Sequence, residues 1–131
     1  MTVVTLRKVF ALDALSCGAF FAACVLFTGT AAELVGLPQV VVAAGGWICL
    51  AAGLLFAALA LSGRPSPLLT ALGVFGNALW VAASLAVVAL FAPQMTVAGV
   101  VLVVGQAAAV GMLTWLEAAG LRSMARVAAA A

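Results

Sequence analysis

The sequence predicts an all-α integral membrane protein, an antiparallel bundle of four transmembrane helices forming a single domain over residues 1–131. Three observations lead to this prediction. Hydrophobic residues make up 69% of the chain and charged residues 6%, whereas soluble domains are about 45–50% apolar and about 25% charged. The apolar residues are gathered into four long segments, and the connections between them are short. A water-soluble domain of this length could not bury so much apolar surface, so we expect the lipid bilayer to surround most of it.

Each apolar segment has the length of a helix that crosses a hydrocarbon core of about 30 Å. None shows the strict alternation of a membrane barrel strand. Gly36 and Pro38 separate the first segment from the second, as residues that end and begin helices do. Pro65 and Pro67 stiffen the second connection, and Thr96 is a candidate N-cap of the fourth helix. The predicted helices cover residues 9–28, 39–62, 68–90 and 95–121.

The basic residues predict the orientation of the bundle. With four spans, the N-terminus, the connection between the second and third helices, and the C-terminus lie on the same side. All the basic residues of the chain fall on that side: Arg7, Lys8, Arg64, Arg122 and Arg126. Because positive charge collects in cytoplasmic loops, we expect both termini to be cytoplasmic.

The N-terminus allows a second interpretation, a secretory signal peptide. Arg7 and Lys8 precede an apolar run that is followed by small residues, which is the pattern of a cleaved leader. Asp13 is poorly suited to the core of a signal peptide, and the run is long enough to span a bilayer. We therefore expect an uncleaved first helix.

Polar side chains within the predicted spans are the candidate functional residues, because such groups are costly in lipid and usually face the bundle interior. Their helical spacing places them on one face of each helix. The candidates on these faces are Asp13, Cys17, Asn77, Trp80, Ser84, Gln106 and Glu117.

Counting residues from the basic flanks places these groups in layers. Asp13 follows Lys8 by five residues, and Glu117 comes five residues before the next arginine. Both carboxylates are therefore expected at one level, roughly 7–8 Å inside the cytoplasmic flank. The same count puts Asn77 and Gln106 together in an amide layer roughly 15 Å deep.

The two carboxylates allow two interpretations. They could pair with nearby basic residues and fix the register of the helices, or two desolvated acids could raise each other's affinity for a proton. The basic residues within reach are Arg7, Lys8, Arg64 and Arg122. Asn77 and Gln106 could likewise bond to each other, as amides between membrane helices do.

Several function classes are disfavoured. The chain has no histidine, which removes the commonest general base and the commonest ligand of haem and catalytic zinc. Cys17, Cys24 and Cys49 lie in apolar runs and are predicted to be small packing residues. We expect no enzyme, no metal site and no cofactor, because no nucleophile–base pair or phosphate-binding loop is visible. A net charge of +2 gives no reason to expect a nucleic-acid partner.

Several short motifs resemble those of a group of uncharacterised small bacterial four-helix integral membrane proteins. The resemblance implies the four-helix fold and a location in the bacterial inner membrane, and it implies no activity. The motifs are Leu12-Asp13-Ala14, Gly36-Leu37-Pro38, Asn77-x-x-Trp80 with Ser84, and Gln106 with Leu116-Glu117 and Gly120-Leu121-Arg122.

These observations lead to two functional hypotheses. The first is a small non-enzymatic, multi-pass inner-membrane protein with a polar interior, acting as an accessory or ligand-binding subunit. Its partner would be a larger membrane complex or further copies of itself. The alternative is a proton-coupled transporter of a small solute that works as a dimer through Asp13 and Glu117.

Overall fold

The computed structural model describes residues 2–130, and that part of the chain is helical with short connections. Four of its helical segments are long and apolar enough to cross a membrane, which confirms the all-helical fold with four candidate spans. In chain order the elements are α1 (Val3–Phe21), a π-helical turn (Ala22–Leu26), α2 (Thr28–Val35), α3 (Gln39–Leu61), α4 (Pro67–Phe91) and α5 (Val97–Ala129).

The first and the last of the long helices, α1 and α5, are longer than the sequence predicts. α1 begins at Val3 instead of residue 9, and the Thr2 hydroxyl caps it by accepting a hydrogen bond from the Thr5 amide at 3.2 Å. α5 continues to Ala129 instead of ending at residue 121. Apolar patterning marks only the part of a helix that suits lipid, whereas Ala, Met and Arg continue a helix beyond it.

The connection after the first span is itself mostly helical. The π-helical turn continues α1, and the Thr28 hydroxyl donates to the carbonyl oxygens of Cys24 and Val25 at 2.7 and 3.0 Å. α2 follows and ends at Gly36, whose φ of 72° lies in the left-handed region that favours glycine.

α1 and α3 form one closely packed pair. A Cβ atom on Gly46 would lie 2.9 Å from the Cβ of Cys24, and one on Gly53 would lie 3.1 Å from the Cβ of Cys17. The two backbones therefore approach closely where glycine faces cysteine, as small residues allow between membrane helices. The order of these contacts shows that α1 and α3 run antiparallel.

α4 and α5 form a second closely packed pair, also antiparallel, because Asn77 bonds to Glu117 while Ser84 bonds to Gln106. Contacts between the pairs, α1 with α5 and α3 with α4, are sparser. The long helices thus follow one another around the bundle in the order α1, α3, α4, α5.

α2 joins the two pairs at the end of the bundle opposite the basic residues. The Thr96 hydroxyl, which also caps α5 as predicted, donates to the Leu34 carbonyl at 2.6 Å. The Thr96 amide donates to the Val35 carbonyl at 3.2 Å. Gly99 allows this approach, because a Cβ there would collide with the Val35 carbonyl oxygen.

Candidate functional site

The central feature of the bundle is a buried cluster of two carboxylates and one amide. The Asn77 amide nitrogen on α4 donates to Asp13 Oδ2 on α1 at 2.6 Å and to Glu117 Oε2 on α5 at 3.2 Å. Asp13 is 1% exposed, Glu117 0% and Asn77 6%. Three helices therefore meet at a single nitrogen atom, and both acids lie at the same level of the bundle.

The remaining carboxylate oxygens have few donors. Asp13 Oδ1 receives long contacts from the Ser16 hydroxyl at 3.4 Å and the Cys17 thiol at 3.7 Å. The shorter bond of that hydroxyl, at 2.9 Å, goes to the backbone carbonyl of Asp13. Glu117 Oε1 is buried and has no hydrogen-bond partner within residues 2–130. The cluster thus has more acceptors than donors.

The predicted pairing of Asp13 and Glu117 with basic residues is not found among the described residues. Within the described residues, the hydrogen-bond partners of the two carboxylates are Ser16, Cys17 and Asn77. Arg7, one of the predicted basic partners, instead donates its Nε to the Ala60 carbonyl at 2.8 Å, which joins α1 to the end of α3. The acids are therefore buried without a cationic neighbour bonded to them.

Gln106 belongs to a separate network between α4 and α5. The Trp80 indole nitrogen donates to Gln106 Oε1 at 2.9 Å, and Gln106 Nε2 donates to the Ser84 hydroxyl at 2.8 Å. The Trp80 ring also meets Phe20 of α1 edge to face, with ring centroids 5.7 Å apart. This network joins the candidates Trp80, Ser84 and Gln106, which the sequence had placed on inward faces.

The prediction of a separate amide layer is therefore wrong. Asn77 lies with the carboxylates, and its predicted partner Gln106 lies elsewhere. The depth count took the basic residues as the helix ends, but α1 starts before Arg7 and α5 continues past Arg122. Asp13 and Glu117 are consequently deeper in their helices than the count implied, which brings them level with Asn77.

An apolar cavity of about 710 Å³ lies between the two helix pairs, with Asp13, Cys17 and Asn77 in its wall. A second cavity of about 670 Å³ extends toward α2. Phe20, Trp80 and Gln106 line both, so the tryptophan–glutamine network stands where the cavities meet. The crevice between the pairs is thus apolar along its length, with the acidic cluster beside one part of it.

Sequence reasoning missed Ser16 and the cavities. Ser16 could have been found, because residues three apart on a helix are neighbours and it follows Asp13 at that spacing. The cavities could not, since they depend on how far apart the helix pairs lie. Within residues 2–130 no group of three or more His, Cys, Asp or Glu side chains is placed to hold a metal ion.

Comparisons with protein-family models, with curated proteins and with solved structures find no match to this chain. The resemblance to small bacterial four-helix proteins therefore stays a prediction, and the function has to be argued from the cluster and the cavities.

Replacing Asn77 by alanine is expected to lower the free energy of unfolding by about 1–3 kcal/mol, because it removes the amide group that donates a hydrogen bond to each of the two buried carboxylates. Gln94→Ala is the matched control, since that side chain also carries an amide but is exposed. The measurement is thermal or denaturant unfolding of the purified protein in detergent. Equal stability of the two variants would show that the shared amide contributes nothing.

Proposed function

We propose that the chain is an integral membrane protein that crosses a bacterial inner membrane four times with both termini in the cytoplasm. Its four long apolar helices support the spanning. The distribution of charge supports the orientation, because all five Lys and Arg residues lie at the end of the bundle that carries the two termini.

Single cysteines in the two opposite connections test this orientation. Gln94→Cys is expected to react with a membrane-impermeant maleimide added outside spheroplasts, whereas Gly63→Cys is expected to react only after lysis. Both positions are exposed, and the unsubstituted protein is the control, because its three cysteines are buried. Labelling in the opposite order would show that the termini lie on the other side of the membrane. Labelling of both cysteines from outside would contradict four spans.

We further propose that the protein binds a small, largely apolar molecule between its helix pairs. The observation that carries this proposal is the cavity of about 710 Å³ with Asp13 and Asn77 in its wall. Small-molecule sites have this character, a mostly apolar hollow of about 300–1,000 Å³ with a few polar groups that orient the ligand. Of the roles expected from the sequence, ligand binding is the one that this geometry favours.

Filling the cavity is expected to abolish this binding. Ala52 lines the cavity on α3, and Ala52→Phe would place a ring in that space. Ala58 is exposed on the same helix, so Ala58→Phe is the matched control. The probe is 1-adamantanol, a compact neutral molecule, measured by equilibrium dialysis against nanodiscs with and without protein. The proposal is wrong if the two variants bind the probe equally, or if the original protein binds neither this probe nor its amine analogue, 1-adamantylamine.

Proton-coupled transport is a second candidate, favoured by the sharing of one amide between two carboxylates. Two buried acids without a bonded cation cannot both remain charged at low cost, so one proton held between them would relieve the repulsion. The crevice on either side of Trp80 would supply a path for a solute. Exchange of that proton for the solute would couple the two movements.

Infrared spectroscopy can detect the proton that this candidate requires. At neutral pH the protein is expected to show the C=O band of a protonated carboxyl group, which shifts in D₂O. The band should vanish in Asp13→Asn combined with Glu117→Gln, and it should persist in Glu33→Gln, which changes the remaining, exposed acid of the chain. Absence of the band from the unsubstituted protein would exclude proton coupling through this pair.

A further inference from the structure

We propose that the ligand of the cavity is an organic cation, an apolar body carrying a protonated amine that binds to the Asp13 carboxylate in the cavity wall and is attracted by the charge of the neighbouring Glu117 carboxylate. This inference rests on the proposed binding function and names its ligand class.

The first argument is the shortage of donors at the cluster. Asn77 reaches one oxygen of each carboxylate. Of the other two oxygens, Asp13 Oδ1 has only long contacts, and Glu117 Oε1 has no partner within residues 2–130. Buried acceptors are normally satisfied, and a buried unsatisfied acceptor is costly. An ammonium group in the cavity, with up to three N–H donors and no acceptor, supplies the donor that Asp13 Oδ1 lacks, whereas Glu117 is outside the cavity wall and would act through its charge.

The second argument is charge. Buried carboxylates are usually paired with a cation or coordinated to a metal. Among the described residues the partners of these carboxylates are all uncharged, and the Arg7 Nε is directed to a backbone carbonyl. The chain therefore leaves the place of a counter-cation to another molecule.

The third argument is the position of Asp13 Oδ1. Its two weak donors, Ser16 and Cys17, both line the cavity, as does Asp13 itself. The under-satisfied oxygen thus lies next to two residues of the cavity wall. A cationic head bonded there would leave the stronger bond between Asn77 and Asp13 Oδ2 in place.

The rest of the cavity wall determines which chemical groups the body of the ligand can carry. Apart from Asp13, Asn77, Gln106, the Ser16 hydroxyl and the thiols of Cys17 and Cys49, it is lined by apolar and glycine residues. A body without further polar groups fits such a wall, because each buried polar atom would need a partner. Phe20, Phe56 and Trp80 add aromatic rings, which attract cations in a water-poor site.

The cavity is also reachable from the bilayer. Its wall includes residues at the outer surface of the bundle. Leu12 of α1 is 58% exposed and Met112 of α5 is 63% exposed, and both line the cavity. An amphiphilic cation that partitions into lipid could therefore enter sideways between α1 and α5.

A matched pair of probes tests the charge requirement. 1-Adamantylamine is protonated at pH 7, while 1-adamantanol has nearly the same shape and is neutral. Binding of each to the full chain in nanodiscs is measured by equilibrium dialysis, with protein-free nanodiscs as the blank. We expect the amine to bind about tenfold or more tightly than the alcohol, the size of effect that a charge-assisted hydrogen bond produces.

Variants then show which residues cause the preference for the amine over the alcohol. Asp13→Asn and Glu117→Gln are expected to remove most of the preference for the amine, whereas Glu33→Gln and the conservative Asp13→Glu should retain it. Loss of the preference in Glu33→Gln, or its persistence in the double variant Asp13→Asn/Glu117→Gln, would overturn the assignment of the cation to the cluster.

The outcomes separate this inference from the proposed binding function. Equal affinity of the original protein for amine and alcohol, both blocked by Ala52→Phe, would overturn the cationic ligand and leave binding in the cavity intact. If the original protein binds neither the amine nor the alcohol, both the cationic ligand and binding in the cavity are overturned. The comparison of the two probes in the original protein requires no variant, so a variant that fails to fold does not prevent the test.

Discussion

The Asn77 side chain joins the two helix pairs, between which other contacts are sparse. Its amide nitrogen bonds to carboxylates on two other helices, and all three side chains are buried. The bond to Asp13 crosses between the helix pairs, and the bond to Glu117 lies within the pair α4/α5. The hydrogen bond that links the two pairs at this level therefore depends on one donor group.

The cavities follow from the sizes of the residues that meet between the helices. Helices in lipid gain little from hydrophobic association and pack through close contact of small residues. α1 and α3 achieve this where Gly46 and Gly53 face cysteines. Between the pairs, large rings occupy the contacts: Phe56 stands against Gly73, and Phe20 meets Trp80. Rings at a few points keep the pairs apart elsewhere, and the crevice is the space that remains.

Much of the fold could be predicted from the sequence because it depends on local rules. Apolar length gave four candidate spans, and Gly36 and Thr96 were correctly identified as a helix end and a helix cap. The inward faces were also correct, since Asp13, Asn77 and Glu117 are all buried. The lengths of α1 and α5 were underestimated, because a helix does not end where its apolar pattern does.

The site could be predicted only in part, because its partners belong to different helices. Helical spacing identifies Asp13 and Glu117 as inward-facing residues, but it cannot fix the axial shift between two helices. An error of two turns in that shift separated Asn77 from the acids and paired it with Gln106. The distance between the helix pairs is likewise a property of the assembled bundle, so the cavity left no mark in the spacing of residues along any single helix.

The proposed ligand binding and the spacing of the helix pairs would involve the same carboxylate. Asp13 links the pairs through Oδ2, and its Oδ1 has long contacts with Ser16 and Cys17, which line the cavity. A cation at Oδ1 withdraws electron density from Oδ2 and so weakens its bond to Asn77, the contact that crosses between the pairs. At the opposite end, Thr96 holds α5 to α2 through bonds to Leu34 and Val35, which no ligand at the cluster can reach. Any change in spacing that accompanies binding is therefore concentrated at the end of the bundle that carries the basic residues.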